Sequence, residues 1–158
     1  MKKSVVISII CLALLSIIFV AFFGVTPAGI IPTVYIQSVE IKDMSGNKIT
    51  KLTAEGEKTI TVKFQPTLEV ESVKYMQYFF TTKIMPEDAT LSAIRYYCAE
   101  NDFVKVENPK NGALLIKQMN LATSSSPYYI CNITCAADDG GLAGIEDNLK
   151  LVIDYRQA

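Results

Sequence analysis

The sequence predicts an all-β fold, a β-sandwich of about seven to nine short strands, preceded by one apolar N-terminal helix. Three observations predict it. Beyond Pro32 the apolar residues recur with a period of two rather than 3.6. Turn-forming residues return roughly every 8 to 15 positions, the spacing of short antiparallel strands. No long amphipathic helical pattern occurs there, and the one long unbroken apolar run lies before it.

That run follows Met1-Lys2-Lys3, begins at Ser4 and closes at Val25. Ser8, Ser16 and Gly24 interrupt it and none is charged. As a helix it measures about 33 Å, close to the thickness of a bilayer core. Two lysines precede it, and the next Lys or Arg is Lys42. The positive-inside rule therefore predicts a single pass through the cytoplasmic membrane, with the N-terminus inside and the bulk outside. The rival reading is a cleaved signal peptide and a secreted product. Such peptides have apolar cores of about 7–15 residues and a small-x-small cleavage site. This run is longer, and Thr26-Pro27-Ala28 is a poor site, so the anchor is favoured. Cys11 lacks the small preceding residue of a lipoprotein signal and reads as an apolar helix residue. Residues 26–32, with Pro27, Gly29 and Pro32, read as a stalk. Residues 33–158 read as one domain, too short for two ordinary ones.

The strands follow in order. Val34 and Ile36 alternate, then Val39 and Ile41, and the change of phase predicts a kink near Gln37. Met44-Ser45-Gly46-Asn47 is turn chemistry. Ile60, Val62 and Phe64 share one face of the next strand, with Thr59, Thr61 and Lys63 on the other. Pro66 breaks that strand, and residues 66–72 read as an insertion. A long strand over 73–84 puts Met76, Tyr78, Phe80 and Ile84 in one phase. Ile94, Tyr96 and Cys98 face inward on the next strand, with Arg95 and Tyr97 outward. Val104 and Val106 mark a short strand, Asn108-Pro109-Lys110-Asn111-Gly112 a turn, and residues 113–119 a strand. Tyr129, Cys131, Ile133 and Cys135 alternate with Tyr128, Asn132 and Thr134. A loop over 141–148, with room for one helical turn, leads to Leu149, Leu151, Ile153 and Tyr155 on the last inward face.

Composition excludes several functions. Setting Lys2 and Lys3 aside leaves 13 of the 15 basic residues against 16 acidic ones. That balance offers no excess charge to neutralise phosphates, so nucleic acid is not an expected partner. The chain has no His, and so lacks the usual general base and the commonest zinc ligand. It shows no Gly-x-Ser-x-Gly elbow and no phosphate-cradling glycine loop. No catalytic residue, no cofactor, no metal and no small-molecule substrate is expected.

From residue 73 to about 155 the chain resembles the bacterial immunoglobulin-like domains of group 2. Ile84-Met85-Pro86-Glu87-Asp88-Ala89-Thr90 is similar to that family's strand-ending turn. Ile94-Arg95-Tyr96-Tyr97-Cys98-Ala99-Glu100-Asn101 is similar to the strand after it. Val104-Lys105-Val106 followed by Asn111-Gly112-Ala113-Leu114 is similar to the next pair. Residues 130–137 with Asp139-Gly140 resemble the penultimate strand and its hairpin. Two departures stand out. Tyr96 occupies the place of the usual central Trp, and the part before residue 73 is longer than a minimal domain. The resemblance implies an Ig-like β-sandwich and an extracellular interaction role, and it carries no catalytic residues.

Cys98, Cys131 and Cys135 all fall in inward phases. Outside the membrane they can form a disulfide. Cys131 and Cys135 are roughly 13 Å apart along one strand and cannot bond each other. In the Ig-like sheet that the resemblance implies, the strand of Cys98 neighbours that of Cys131 and Cys135, so Cys98 can pair with either; otherwise the three pack as small hydrophobes. Asp138, Asp139, Glu146 and Asp147 offer oxygen ligands but lack calcium-loop spacing, and read as a solvated turn. Asn132-Ile133-Thr134 has the acceptor pattern for a sugar, but it lies within a strand and is expected to carry none. Tyr75, Phe79, Tyr97 and Tyr128 fall in outward phases, where aromatic rings can anchor a partner; the alternative is that the N-terminal extension covers them.

The expected function is therefore that of a binding or structural module at the outer face of a bacterial cytoplasmic membrane. Its partner would be another envelope protein or an envelope polymer. The alternative is a small assembly subunit of an envelope or secretion complex, acting through its transmembrane helix.

Overall fold

A computed structural model describes residues 11–16, 32–141 and 144–156. Cys11 to Ser16 are helical, and the Ser16 hydroxyl donates to the Ala13 carbonyl at 2.8 Å. No helix among the described residues is long and apolar enough to cross a membrane. Of the expected span from Ser4 to Val25 only Cys11 to Ser16, and of the stalk only Pro32, fall among the described residues. Residues 33–158 form one compact unit.

The fold is mostly β, with ten strands among the described residues. They are β1 (Ser38–Lys42), β2 (Thr59–Lys63), β3 (Leu68–Val70), β4 (Val73–Phe79) and β5 (Thr81–Met85), followed by β6 (Ile94–Cys98), β7 (Val104–Asn108), β8 (Ala113–Lys117), β9 (Tyr128–Ala137) and β10 (Glu146–Asp154). One four-stranded sheet has the order β2-β10-β9-β6, a second β3-β4-β8-β7, and β1 pairs with β5 apart from both. Every pairing is antiparallel except β2 with β10, which is parallel. Inward side chains of both four-stranded sheets enter one core, an arrangement consistent with a β-sandwich.

Period-two alternation explains the core directly. Leu149, Leu151 and Ile153 of β10 and the following Tyr155 are all essentially buried. Ile133 and Cys135 of β9, Tyr96 of β6, Met76 and Tyr78 of β4, and Leu114 and Ile116 of β8 meet them. The kink near Gln37 is present: Ile36 and Val39 are both buried although three apart, so the chain rotates between them. Phe64 stacks on Tyr155 with ring centroids 4.9 Å apart.

The predicted strand count of seven to nine falls short of ten for two reasons. The long strand over 73–84 divides at Phe80, because its first half pairs with β8 and its second half with β1. The stretch read as an insertion contains β3, which folds back on β4 through Glu71 and Ser72. Both of those residues have positive φ, 50° and 66°, as a two-residue hairpin turn requires. The loop read over 141–148 is shorter than expected, since Glu146 to Asn148 already belong to β10.

Candidate functional site

The outer face of the β3-β4-β8-β7 sheet is built from the alternation of β4. Met76 and Tyr78 point to the core, so Tyr75 and Phe79 point away from it. Register then adds β3: Leu68 lies opposite Tyr75 and Val70 opposite Val73, on the same side of the sheet. Leu68 is 43% exposed, Val70 48% and Phe79 42%, and Tyr75 is half-buried among them. On the other side of β4, Lys117 faces Tyr75 and Leu115 faces Gln77. Lys105 lies opposite Leu115, and the Gln77 amide reaches the Glu107 carboxylate at 3.5 Å. The result is an apolar row of Leu68, Val70, Tyr75 and Phe79, interrupted by Gln77 between the two rings, with lysines and a glutamate on one flank. Contiguous exposed apolar surface with a polar rim is what interaction sites present.

The structure does not bring the four outward aromatics together. Tyr75 and Phe79 stand on this sheet, and Tyr97 and Tyr128 stand on the outer face of the β2-β10-β9-β6 sheet. Tyr97 faces Thr134, six positions along β9 from Tyr128, roughly 20 Å away at strand rise. Its hydroxyl donates to the Glu146 carboxylate at 3.2 Å. Partial desolvation and that neighbouring carboxylate raise its pKa. The Tyr128 ring lies under the Arg156 guanidinium, 4.9 Å from ring centroid to carbon. Arg156 in turn forks onto Asp154, with contacts of 2.6 to 3.2 Å, and holds that carboxyl down at about 2. These two tyrosines are thus tied into local charge networks, whereas Tyr75 and Phe79 are not. Sequence reasoning also missed Ile130, 56% exposed beside Tyr128 and opposite Val152.

All four cysteines are free thiols. Cys98 ends β6 opposite Ile133, and Cys131 and Cys135 flank Ile133 on the same side of β9. Burial pushes the Cys131 thiol up to about 12, with Cys98 adding to the shift. Burial likewise pushes Cys135 up to about 11, against hydrogen bonds from Thr82 and Tyr96. Both are therefore mainly protonated near neutrality, and each reacts only through a small thiolate fraction.

Each of the four carboxylates in and beside the 138–147 loop has a protein donor. Asp138 pairs with Arg95 at 3.0 Å. Asp139 accepts the Ile36 amide at 2.6 Å and the Gly141 amide at 2.9 Å, which lowers its pKa. Asp147 accepts the Ile41 amide at 2.7 Å and the Lys58 ammonium at 2.6 Å. Glu146 takes the Tyr97 hydroxyl. Asp139 and Asp147 thereby clamp the segment that carries β1. The reading of these residues as a solvated turn overlooked that role, because no local pattern links a carboxylate to an amide about 100 residues away. Among the described residues no group of three or more His, Cys, Asp or Glu is placed to hold a metal ion.

A scan against protein-family models finds no match to this chain, and a search of the curated proteins finds none either.

Proposed function

We propose that the protein is an immunoglobulin-like binding module, held at the outer face of a bacterial cytoplasmic membrane, without catalytic activity. Its partner is an envelope protein or an envelope polymer. The apolar stripe of Leu68, Val70, Tyr75 and Phe79 carries this reading, since exposing those side chains costs hydrophobic free energy that a partner would recover. The Ig-like assignment is supported by the order of the two four-stranded sheets and by the parallel pairing of β2 with β10 along an otherwise antiparallel sheet. It is further supported by Tyr96, which fills the centre of the core where the resembled family carries Trp. The anchor is supported by the apolar run and its two flanking lysines.

Photo-crosslinking in intact membranes tests the reading. A photoreactive residue at Phe79 or Leu68 should capture a defined partner, and one at Thr134 on the opposite sheet should not. Equal capture at both positions, or none at either, would refute the stripe as the binding surface. Preferential capture through residues 4–25 would instead favour the assembly-subunit reading.

A further inference from the structure

We propose that Cys98 and Cys131 are a redox-active pair that closes into a disulfide, stapling the end of β6 to β9, while Cys135 stays a permanent core thiol. The inference is independent of the binding face and stands on register. Cys98 lies opposite Ile133, so Cys131 and Cys135 are its two diagonal neighbours on the same face of the sheet. The two diagonals are not equivalent. Cys135 is fully buried opposite Tyr96, with its sulfur directed to the Thr82 hydroxyl at 4.0 Å. Cys131 is only partly buried, as is Cys98. Cys98 and Cys131 are therefore the two less buried thiols of the three.

Access and slack favour the same pair. An open groove lined by Tyr97, Cys98, Asn101, Val104 and Val106 runs past the Cys98 thiol. The Asn101 amide lies 4.0 Å from that sulfur. Diagonal neighbours on a sheet sit at about 7–8 Å, slightly beyond comfortable disulfide span, so closure asks for a shift of about 1 Å. Cys98 is the last residue of β6 and precedes a loop, so the shift is confined to a strand end. Cys135 lies mid-sheet, with β6 and β10 on either side, and has no such freedom.

The chemistry is thiol–disulfide exchange with a small disulfide such as oxidised glutathione. Cys98, the thiol on the groove, loses its proton and attacks one sulfur of the oxidant, whose other half leaves as a thiolate and takes a proton. Cys131 then loses its proton and attacks the Cys98 sulfur, expelling the second half as a thiol. Two protein thiols are oxidised by two electrons, and one glutathione disulfide is reduced to two thiols.

The test uses the full chain in detergent with Cys11→Ser, treated with oxidised glutathione, alkylated and weighed intact. The expected product has lost the mass of two hydrogens and retains one alkylatable thiol. Lys105, Lys110 and Lys117 separate Cys98 from Cys131, so trypsin should release a linked peptide pair. Cys131 and Cys135 share a tryptic peptide, and Cys135→Ser resolves them: the linked pair should persist in that variant and vanish in Cys131→Ser. A bridge to Cys135, a lasting glutathione adduct on Cys98, a linked dimer or an unreacted protein would each overturn the proposal. Fragmenting the linked pair between Cys131 and Cys135, in the chain that keeps all three domain cysteines, assigns the partner directly, so a poorly folding variant does not spare the idea.

Discussion

The two four-stranded sheets spend their apolar residues differently. In the β2-β10-β9-β6 sheet most go inward, and the outer face sets Val152 and the exposed Ile130 among threonine, asparagine, lysine and glutamate, with Tyr97 and Tyr128 held by Glu146 and Arg156. In the β3-β4-β8-β7 sheet they go to both faces, and nothing among the described residues ties down Leu68, Val70 or Phe79. The lesson is that the same alternation rule serves two ends. One sheet supplies stability and a solvated back, the other supplies its share of core and a surface for recognition.

That contrast can be broken in several ways. The largest effect is expected at Leu151, buried at the centre of β10 between β2 and β9. Leu151→Ala should cost about 3 kcal/mol in urea unfolding, from lost burial plus the cavity left behind. A loss as small as that of a surface variant would deny this sheet its role. Next comes Gly112, at φ 69° in the turn before β8, where an added methyl would meet the Tyr96 ring at 2.9 Å. Gly112→Ala combines a positive φ with overpacking and should cost about 2 kcal/mol. Tyr155→Phe removes the hydroxyl that donates to the Lys117 carbonyl at 2.7 Å and so links the end of β10 to β8. It should cost about 1 kcal/mol, because the carbonyl is left without its partner.

Acid sharpens the comparison on the solvated sheet. Asp154 titrates at about 2 and the Asp139 carboxyl is also lowered, both against an unfolded value of 3.8. A lowered folded pKa adds stability that is present above 3.8 and lost as pH falls through the folded value. Thermal midpoints should therefore hold steady down to about pH 4 and drop between there and pH 2. Asp154→Asn should melt lower at neutral pH and flatten that drop. The smallest effect belongs to the other sheet's outer face. Leu68→Ser with Phe79→Ser should change stability by less than about 0.5 kcal/mol while abolishing partner capture; a large destabilisation would mark the stripe as core rather than surface.

Legibility in the sequence followed the range of the interactions. The inward ladders Ile133/Cys135 and Leu149/Leu151/Ile153 were readable because the pleat alone decides which side a residue takes. Outward Tyr75, Phe79, Tyr97 and Tyr128 were readable for the same reason. Their division between two sheets was not, since alternation tells a residue's side and not its sheet. β3 was missed because three residues after Pro66 are too few to show a period, and a turn through Glu71 and Ser72 lacks the usual glycine or asparagine. The parallel pairing of β2 with β10 joins segments about 90 residues apart and has no local signature.

By itself, then, the sequence determined that the chain after Pro32 pleats rather than coils, and which side chains leave the water, because both follow from neighbours two positions apart. Only the tertiary structure decided which strands share a sheet, which aromatic rings stand together, and which cysteine lies diagonal to which. Those are matters of pairing and register between distant segments, and a one-residue slip of a strand would turn all its side chains to the other face.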